Sequence, residues 1–223
     1  MSADCMTDVQ FDDLLPTEVK RASCIFWTPV AVARRAAEIF EQLGVRRVLD
    51  VGSGPGKFAI VAGARTQGIE YVGVEHRPQL ADIARSLSAL LGTTNVTFST
   101  GDITLVPWTD FDAFYVYNSF AENSFFPADQ FDGTVELSHA RYVAEAKRVA
   151  DRLSLAAVGS VIVTYHGLGA PIPSSYRMLH IEAAGTGWLR AWRKSDASGD
   201  KYWVEEGADV SCWVAEPVAD RNP

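Results

Sequence analysis

The stretch "VLDVGSGPGKF", Val48 to Phe58, constrains the fold more than any other part of this chain. An apolar run stops at three glycines on alternate positions, Gly52, Gly54 and Gly56, and a helical pattern follows at once. A strand that ends in such a turn and leads into a helix brings bare backbone close to something at the strand's C-terminal end.

The same alternation recurs along the chain. "TPVAVARRAAEIFEQLG" reads as a helix with Thr28 as N-cap, Pro29 at the first helical position and Gly44 as the stop. "RRVLDV" is a short buried strand and "GKFAIVAGARTQ" the helix after it. "YVGVEH" is a second strand, followed by a helix from Pro78 to Gly92. "VTFSTGD", "FDAFYVYN" and "GSVIVTYHG" supply three more strands, and apolar residues at Val135, Tyr142, Val143, Ala146, Val149 and Leu153 mark a long helix before the last of them. The tail changes character: "GWLRAWRK" and "DKYWVEE" flank "SDASG", and "VSCWVAEP" closes, a pattern of antiparallel β-structure on one edge. The expectation is an α/β fold: a doubly wound, mostly parallel sheet with helices on both faces. Residues 1–15 read as a mobile or loosely packed lead.

In such sheets ligands sit beyond the C-terminal strand ends. The glycine loop, Glu75, Asp102 and Asn118 all fall there. A phosphate loop needs one more residue between its glycines and a hydroxyl where Phe58 stands, so it is excluded. The dinucleotide fingerprint needs its third glycine one residue later, at Lys57, although Glu75 would suit a ribose. The third pattern is D-x-G-x-G-x-G, with Asp50 supplying the acid. A carboxylate there is awkward beside a pyrophosphate and acceptable beside a sulfonium and an α-amino group, both cationic.

Bulk properties narrow the remaining classes. The 223 residues carry a net charge of −8, which argues against a general affinity for nucleic acid or anionic membrane. No apolar run is long enough to span a bilayer, and the acidic N-terminus lacks a secretory core. Cys5, Cys24 and Cys212 are odd in number and unspaced for metal, reading as reduced cytoplasmic thiols. His76, His139, His166 and His180 show no metal spacing either.

With these motifs in order, the chain resembles the class I S-adenosylmethionine-dependent methyltransferases over residues 25–165. "LDVGSGPGKF" is similar to their first motif, "YVGVEHRP" to their second and "STGDI" to the adenine-binding segment. The resemblance implies a seven-stranded Rossmann-like domain over residues 28–223 with a lead and lid segment at 1–27. Its cofactor would be S-adenosylmethionine. Asp50, Gly52, Ser53, Gly54 and Gly56 would lie near the methionine part, and Glu75 with His76 at the ribose. Asp102 and Ile103 would meet the adenine, and Trp27 with Thr28 would fold over as a lid. "FYVYNSFAEN" is similar to the segment of non-SET lysine methyltransferases, with Asn118 and Phe120 on its pattern and Ser119 and Glu122 departing from it. That implies Asn118 and Phe120 as the catalytic pair, Asn118 touching cofactor as well. Phe125, Phe126 and Phe131 could wall an acceptor channel. The acceptor stays open, with an amine, of protein lysine or of a small molecule, preferred. The alternatives are a nicotinamide-dependent oxidoreductase and a catalytically silent module that binds another protein. The oxidoreductase is distinguished by its glycine spacing.

Overall fold

The computed structural model describes residues 2–124, 131–133, 135–195 and 203–204. In chain order its main elements are α1 (Asp8–Asp12), α2 (Thr17–Phe26), α3 (Val30–Gln42), β1 (Arg47–Val51), α4 (Lys57–Arg65), β2 (Glu70–Glu75), α5 (Pro78–Leu91), β3 (Val96–Thr100), β4 (Ala113–Tyr117), α6 (His139–Leu155), β5 (Val161–Tyr165), β6 (Ile172–Pro173), β7 (Tyr176–Ala184), β8 (Gly187–Lys194) and β9 (Trp203–Val204).

β1 and β5 are built from residues buried on both sides, as strands covered by helices on two faces must be. The seven-stranded sheet runs β3-β2-β1-β4-β5-β8-β7. β1 to β5 are mutually parallel, β8 is antiparallel to β5, and β7 is antiparallel to β8. Six strands therefore point one way and β8 alone the other. Because the chain leaves β1 for β2 on one side and later returns to β4 on the other, the crevice outside the C-terminal end of β1 is the topological switch point.

Alternation in each strand divides the core in two. Val48, Tyr115 and Val163 face α3, α4 and α5. Leu49, Phe114 and Ile162 face Val149, Ala150 and Leu153 of α6, with Trp108 alongside. Of the predicted helical stripe, Val143 is on the exposed side, and the helix starts at His139, with Ser138 accepting from Arg141 N–H as the N-cap.

Three readings from sequence need correction. The lead is folded onto the domain: Ala3 and Phe11 are fully buried, and α1 opens with a reciprocal capping box between Thr7 and Gln10. Its anchor is Lys57 at the start of α4, almost wholly buried, whose ammonium lies 2.7 Å from Asp8 and 2.8 Å from Asp12 and donates to Ser23. Secondly, Pro29 occupies the N-cap position of α3, and the cap is supplied from a distance: Asp8 Oδ1 accepts from Val30 N–H at 2.9 Å. Thr28 turns inward instead. Thirdly, the antiparallel hairpin partner of β8 is β7, joined to it through Gly185 and Thr186. Trp203–Val204 of the "DKYWVEE" stretch pairs with Ile172–Pro173 in a separate two-stranded ribbon. "VSCWVAEP" lies outside the described residues. β7 was hidden because its burial does not alternate regularly: a bulge between Met178 and His180 shifts the register.

Candidate functional site at the switch point

The glycine loop is the centre of the crevice. Gly52 and Ser53 both donate their N–H to Val74 O at 3.1 Å, and Gly56 N–H closes on Ser53 O, so the chain reverses within five residues. Gly54 and Gly56 have φ of 54° and 82°, a region costly for other residues. They also leave no room for a side chain. A Cβ on Gly56 would stand 2.6 Å from Phe98 Cζ, and one on Gly54 would stand 2.6 Å from the Trp27 ring. Gly56 therefore serves the packing of β3 and α5 under the loop, while Gly54 lets Trp27 lie directly on it.

Two carboxylates flank the loop. Glu75, at the end of β2 and buried, accepts from Gly54 N–H at Oε2 and from Arg77 N–H at Oε1, both at 2.9 Å, with His76 Nδ1 at 3.2 Å. Asp50 on β1 is 4% exposed, and its Oδ2 is buried without a hydrogen-bond partner among the described residues. Burial, and next the charge of Glu75, push the Asp50 carboxyl well above the usual carboxylate range. A cationic group brought beside Asp50 would favour its ionised form and offset the repulsion from Glu75.

The raised Asp50 carboxyl has a measurable consequence. The folded state holds its proton on Asp50 at pH values where the unfolded chain has released it. Stability contributed this way is full below the unfolded pKa and is lost as pH rises through the raised folded pKa. Asp50→Asn is expected to remove that decline and to raise the melting temperature of the ligand-free protein at neutral pH, each tenfold difference in proton affinity between the two states being worth about 1.4 kcal/mol. Melting curves from pH 4 to 8 on both proteins check it; parallel curves would refute it.

Two connected hollows surround these groups. The larger, about 540 Å³ including its open mouth, is walled by Glu75, His76, Arg77, Asn118, Phe120 and Glu122, among others. The smaller, about 270 Å³, lies under Trp27 and is reached by Thr28, Asp50, Ser53, Lys57 and Tyr115. Thr28 Oγ1 is 3.1 Å from Tyr115 Oη, and the Tyr115 ring stacks on Phe58 at 3.5 Å between centroids.

Most expected residues are thus brought together: Thr28, Asp50, Gly52, Ser53, Gly54, Glu75, His76, Asn118 and Phe120 line or border the hollows. Asn118 sits just after β4 with φ 49°, a conformation asparagine tolerates better than most residues, and its Nδ2 donates to Ile25 O at the end of α2. Asp102 and Ile103 are not on the wall. Asp102 Oδ1 accepts from both Thr104 N–H and Thr104 Oγ1 at 2.7 Å, capping the short helical turn that follows. The Thr104 hydroxyl, ahead of other causes, draws its carboxyl below the ordinary range. Ile103 packs against the cluster under α6. His166 follows β5 with φ 62° and meets Tyr165 edge-on and Tyr117 at a tilt, behind the Tyr117 ring that lines both hollows. Phe131 packs edge-on against Trp27, and Phe125 and Phe126 lie outside the described residues.

Sequence reading passed over Arg77, Asn123, Arg141 and Glu145, all on the cleft wall, and noted Glu122 only as a departure from a motif. Arg141 and Glu145 pair at 2.8 Å, and Asn123 donates to Glu145. The one signal for Arg77 was its place immediately before the helix-starting Pro78, where a large cation is an unusual N-cap.

Comparison with known proteins agrees with this geometry. Residues 45–149 match the model of a family described as a methyltransferase domain. A demethylmenaquinone methyltransferase of Deinococcus radiodurans is 41% identical over 70 residues, 30% of this chain. The chain matches only 29% of that relative's length. Among solved structures, an RNA methyltransferase from Salinibacter ruber in complex with S-adenosyl-L-homocysteine shares 21% identity over 76% of this chain and 94% of its own, with a TM-score of 0.52. A methyltransferase from Geobacter sulfurreducens shares 15% identity over 83% and 95%, with a TM-score of 0.54. At these identities the structural likeness speaks for the fold. The family match spans β1 to β4 and the glycine loop, and the strand order is that of a doubly wound, Rossmann-like fold.

Proposed function

We propose that the protein transfers a methyl group from S-adenosylmethionine to an amine of a protein lysine or of a small molecule. The observation that carries the cofactor reading is Asp50, a buried carboxyl with an unpartnered oxygen beside a bare glycine loop, a setting suited to the cationic methionine end. When bound, S-adenosylmethionine supplies an electrophilic methyl carbon on a sulfonium with a good leaving group.

The chain's own part is positioning and exclusion of water. Glu75 accepts the ribose hydroxyls with the lone pairs not engaged by Gly54 and Arg77, with His76 beside it. The adenine would lie beyond the two hollows, against Ile103 and Asp102 Oδ2, the carboxylate oxygen that Thr104 does not engage; Gly101 N–H donates to Glu75 O, so this segment begins where β2 ends. Trp27 and Thr28 close the methionine end, resting on Gly54 and Tyr115. Asn118 offers Oδ1 toward an acceptor amine while Nδ2 holds Ile25, and Phe120 forms the wall beside it. The exposed thiols of Cys5 and Cys24 favour a reducing, cytoplasmic setting. Among the described residues no helix is long and apolar enough to cross a membrane.

S-adenosylmethionine or S-adenosylhomocysteine should raise the melting temperature, since a ligand held only by the folded state stabilises it by about 2.7 kcal/mol at a hundredfold excess over Kd. Tight NAD binding with no response to S-adenosylmethionine would overturn the proposal.

A second expectation concerns Asn118. With an acceptor in hand, Asn118→Gly should keep the left-handed backbone and lower single-turnover transfer by roughly two orders of magnitude through lost orientation. Asn118→Ala adds a backbone cost of about 1 kcal/mol. A glycine variant that transfers at the wild-type rate would reduce Asn118 to a turn residue.

A further inference from the structure

Arg77 lines the larger hollow and has no part in the cofactor or acceptor contacts proposed above. It is 5% exposed. Its backbone N–H is bonded to Glu75, the carboxylate that also holds the glycine loop. Its guanidinium faces the opposite bank. Nη1 pairs with Glu122 at 2.8 Å and Nε with Asp132 at 3.2 Å, and the group lies 5.5 Å from the centre of the Phe131 ring. Glu122 in turn accepts from Phe131 N–H at 2.6 Å. Phe131 meets Trp27 edge-on at 6.0 Å, and Trp27 lies on Gly54. The contacts close a circuit: Gly54, Glu75, Arg77, the Glu122–Phe131 bank, Trp27, and Gly54 again. Arg77 Nη2 is buried on this wall with no hydrogen-bond partner among the described residues, so the guanidinium keeps one unsatisfied donor group in the cleft.

The circuit joins parts that no local sequence relation connects. Trp27 comes from the N-terminal cover, Glu122 and Asp132 from the segment between β4 and α6, and Arg77 from the start of α5. A buried ion pair with this geometry adds little net stability over apolar packing, but breaking one side of it is costly. Such an arrangement fixes geometry more than it raises stability. Lysine could replace the charge but not the fork that reaches Glu122 and Asp132 from two nitrogens.

We infer that Arg77 is the positioning residue that couples the Glu75 cofactor carboxylate to the acceptor-side segment around Glu122 and Asp132, so that cofactor occupancy sets the order of the acceptor wall. The inference rests on the S-adenosylmethionine reading of the site for its coupling half only; the mechanical half stands on the ion pairs alone.

The test is hydrogen exchange read by mass spectrometry on the full chain, for wild type, Arg77→Gln and Arg77→Lys. Each is measured free and with saturating S-adenosylhomocysteine, whose Kd is taken in parallel by calorimetry. Without ligand, Arg77→Gln is expected to speed exchange at least tenfold at the Asn123 and Phe131 amides, which Phe120 O and Glu122 hold, while the β1, β4 and β5 peptides keep their protection. Arg77→Lys should fall between the two. With S-adenosylhomocysteine, wild type should gain protection at the Asn123 and Phe131 amides, and Arg77→Gln should bind within about fivefold of wild type yet lose that gain. Unchanged exchange of the Asn123 and Phe131 amides in free Arg77→Gln would overturn the inference. So would ligand-induced protection that survives the substitution, or a complete loss of binding, which would make Arg77 a cofactor ligand instead. Should wild type itself fail to bind S-adenosylhomocysteine, the cofactor reading and with it the coupling fall, while the ligand-free comparison still decides whether Arg77 holds the segment. If Arg77→Gln does not fold, Glu122→Gln cuts the same pair from the other side and must give the same local loosening.

Discussion

Gly54→Val is expected to abolish binding of S-adenosylhomocysteine, by more than a hundredfold in Kd, in a protein that remains folded. A β-branched residue at φ 54° is strained in any surroundings, by about 1–3 kcal/mol. Here the new Cβ would also stand 2.6 Å from the Trp27 ring, so either Trp27 leaves the loop or the loop leaves its place. In both cases the Gly54 N–H loses its aim at Glu75. The sheet beneath is held by β1, β2 and β4 pairing and should not unfold with it. Calorimetry with circular dichroism as the folding control checks the outcome. A folded valine variant that binds as wild type does would remove the loop from the cofactor site.

Glu75→Ala comes next in size. Loss of charge-assisted hydrogen bonds to two ribose hydroxyls should weaken binding by about 2–3 kcal/mol, and Glu75→Gln should cost less. Glu75 also satisfies two backbone donors, Gly54 N–H and Arg77 N–H. Alanine leaves both without their acceptor in a buried place, so the ligand-free protein should lose about 1–3 kcal/mol of stability as well. Glutamine keeps one acceptor oxygen and should lose less on both counts. Titration and melting of the two variants separate the roles: an alanine variant that binds normally but melts early would make Glu75 a support for the loop only.

Much of the architecture was determined by local signals in the chain. Strand–glycine–helix alternation dictates a parallel sheet with right-handed crossovers, and that alone places Asp50, the glycine loop, Glu75 and Asn118 at one edge. Pro78 and Gly92 bracket α5 because each acts on its own backbone. What only the tertiary structure decided is everything that depends on partners distant in sequence. The lead looked loosely packed, but its Asp8 and Asp12 pair with Lys57, 45 residues on from Asp12. Thr28 looked like a helix cap until Tyr115 and the distant carboxylate of Asp8 took up the available bonds. β7 escaped because a bulge breaks its period of two, and the strand that pairs with β8 was sought on the wrong side of it. Arg77 carries no periodic signal at all: its position is fixed by Glu122 and Asp132 across the cleft, and a single chain does not state which of its loops will face each other until the sheet has set them there.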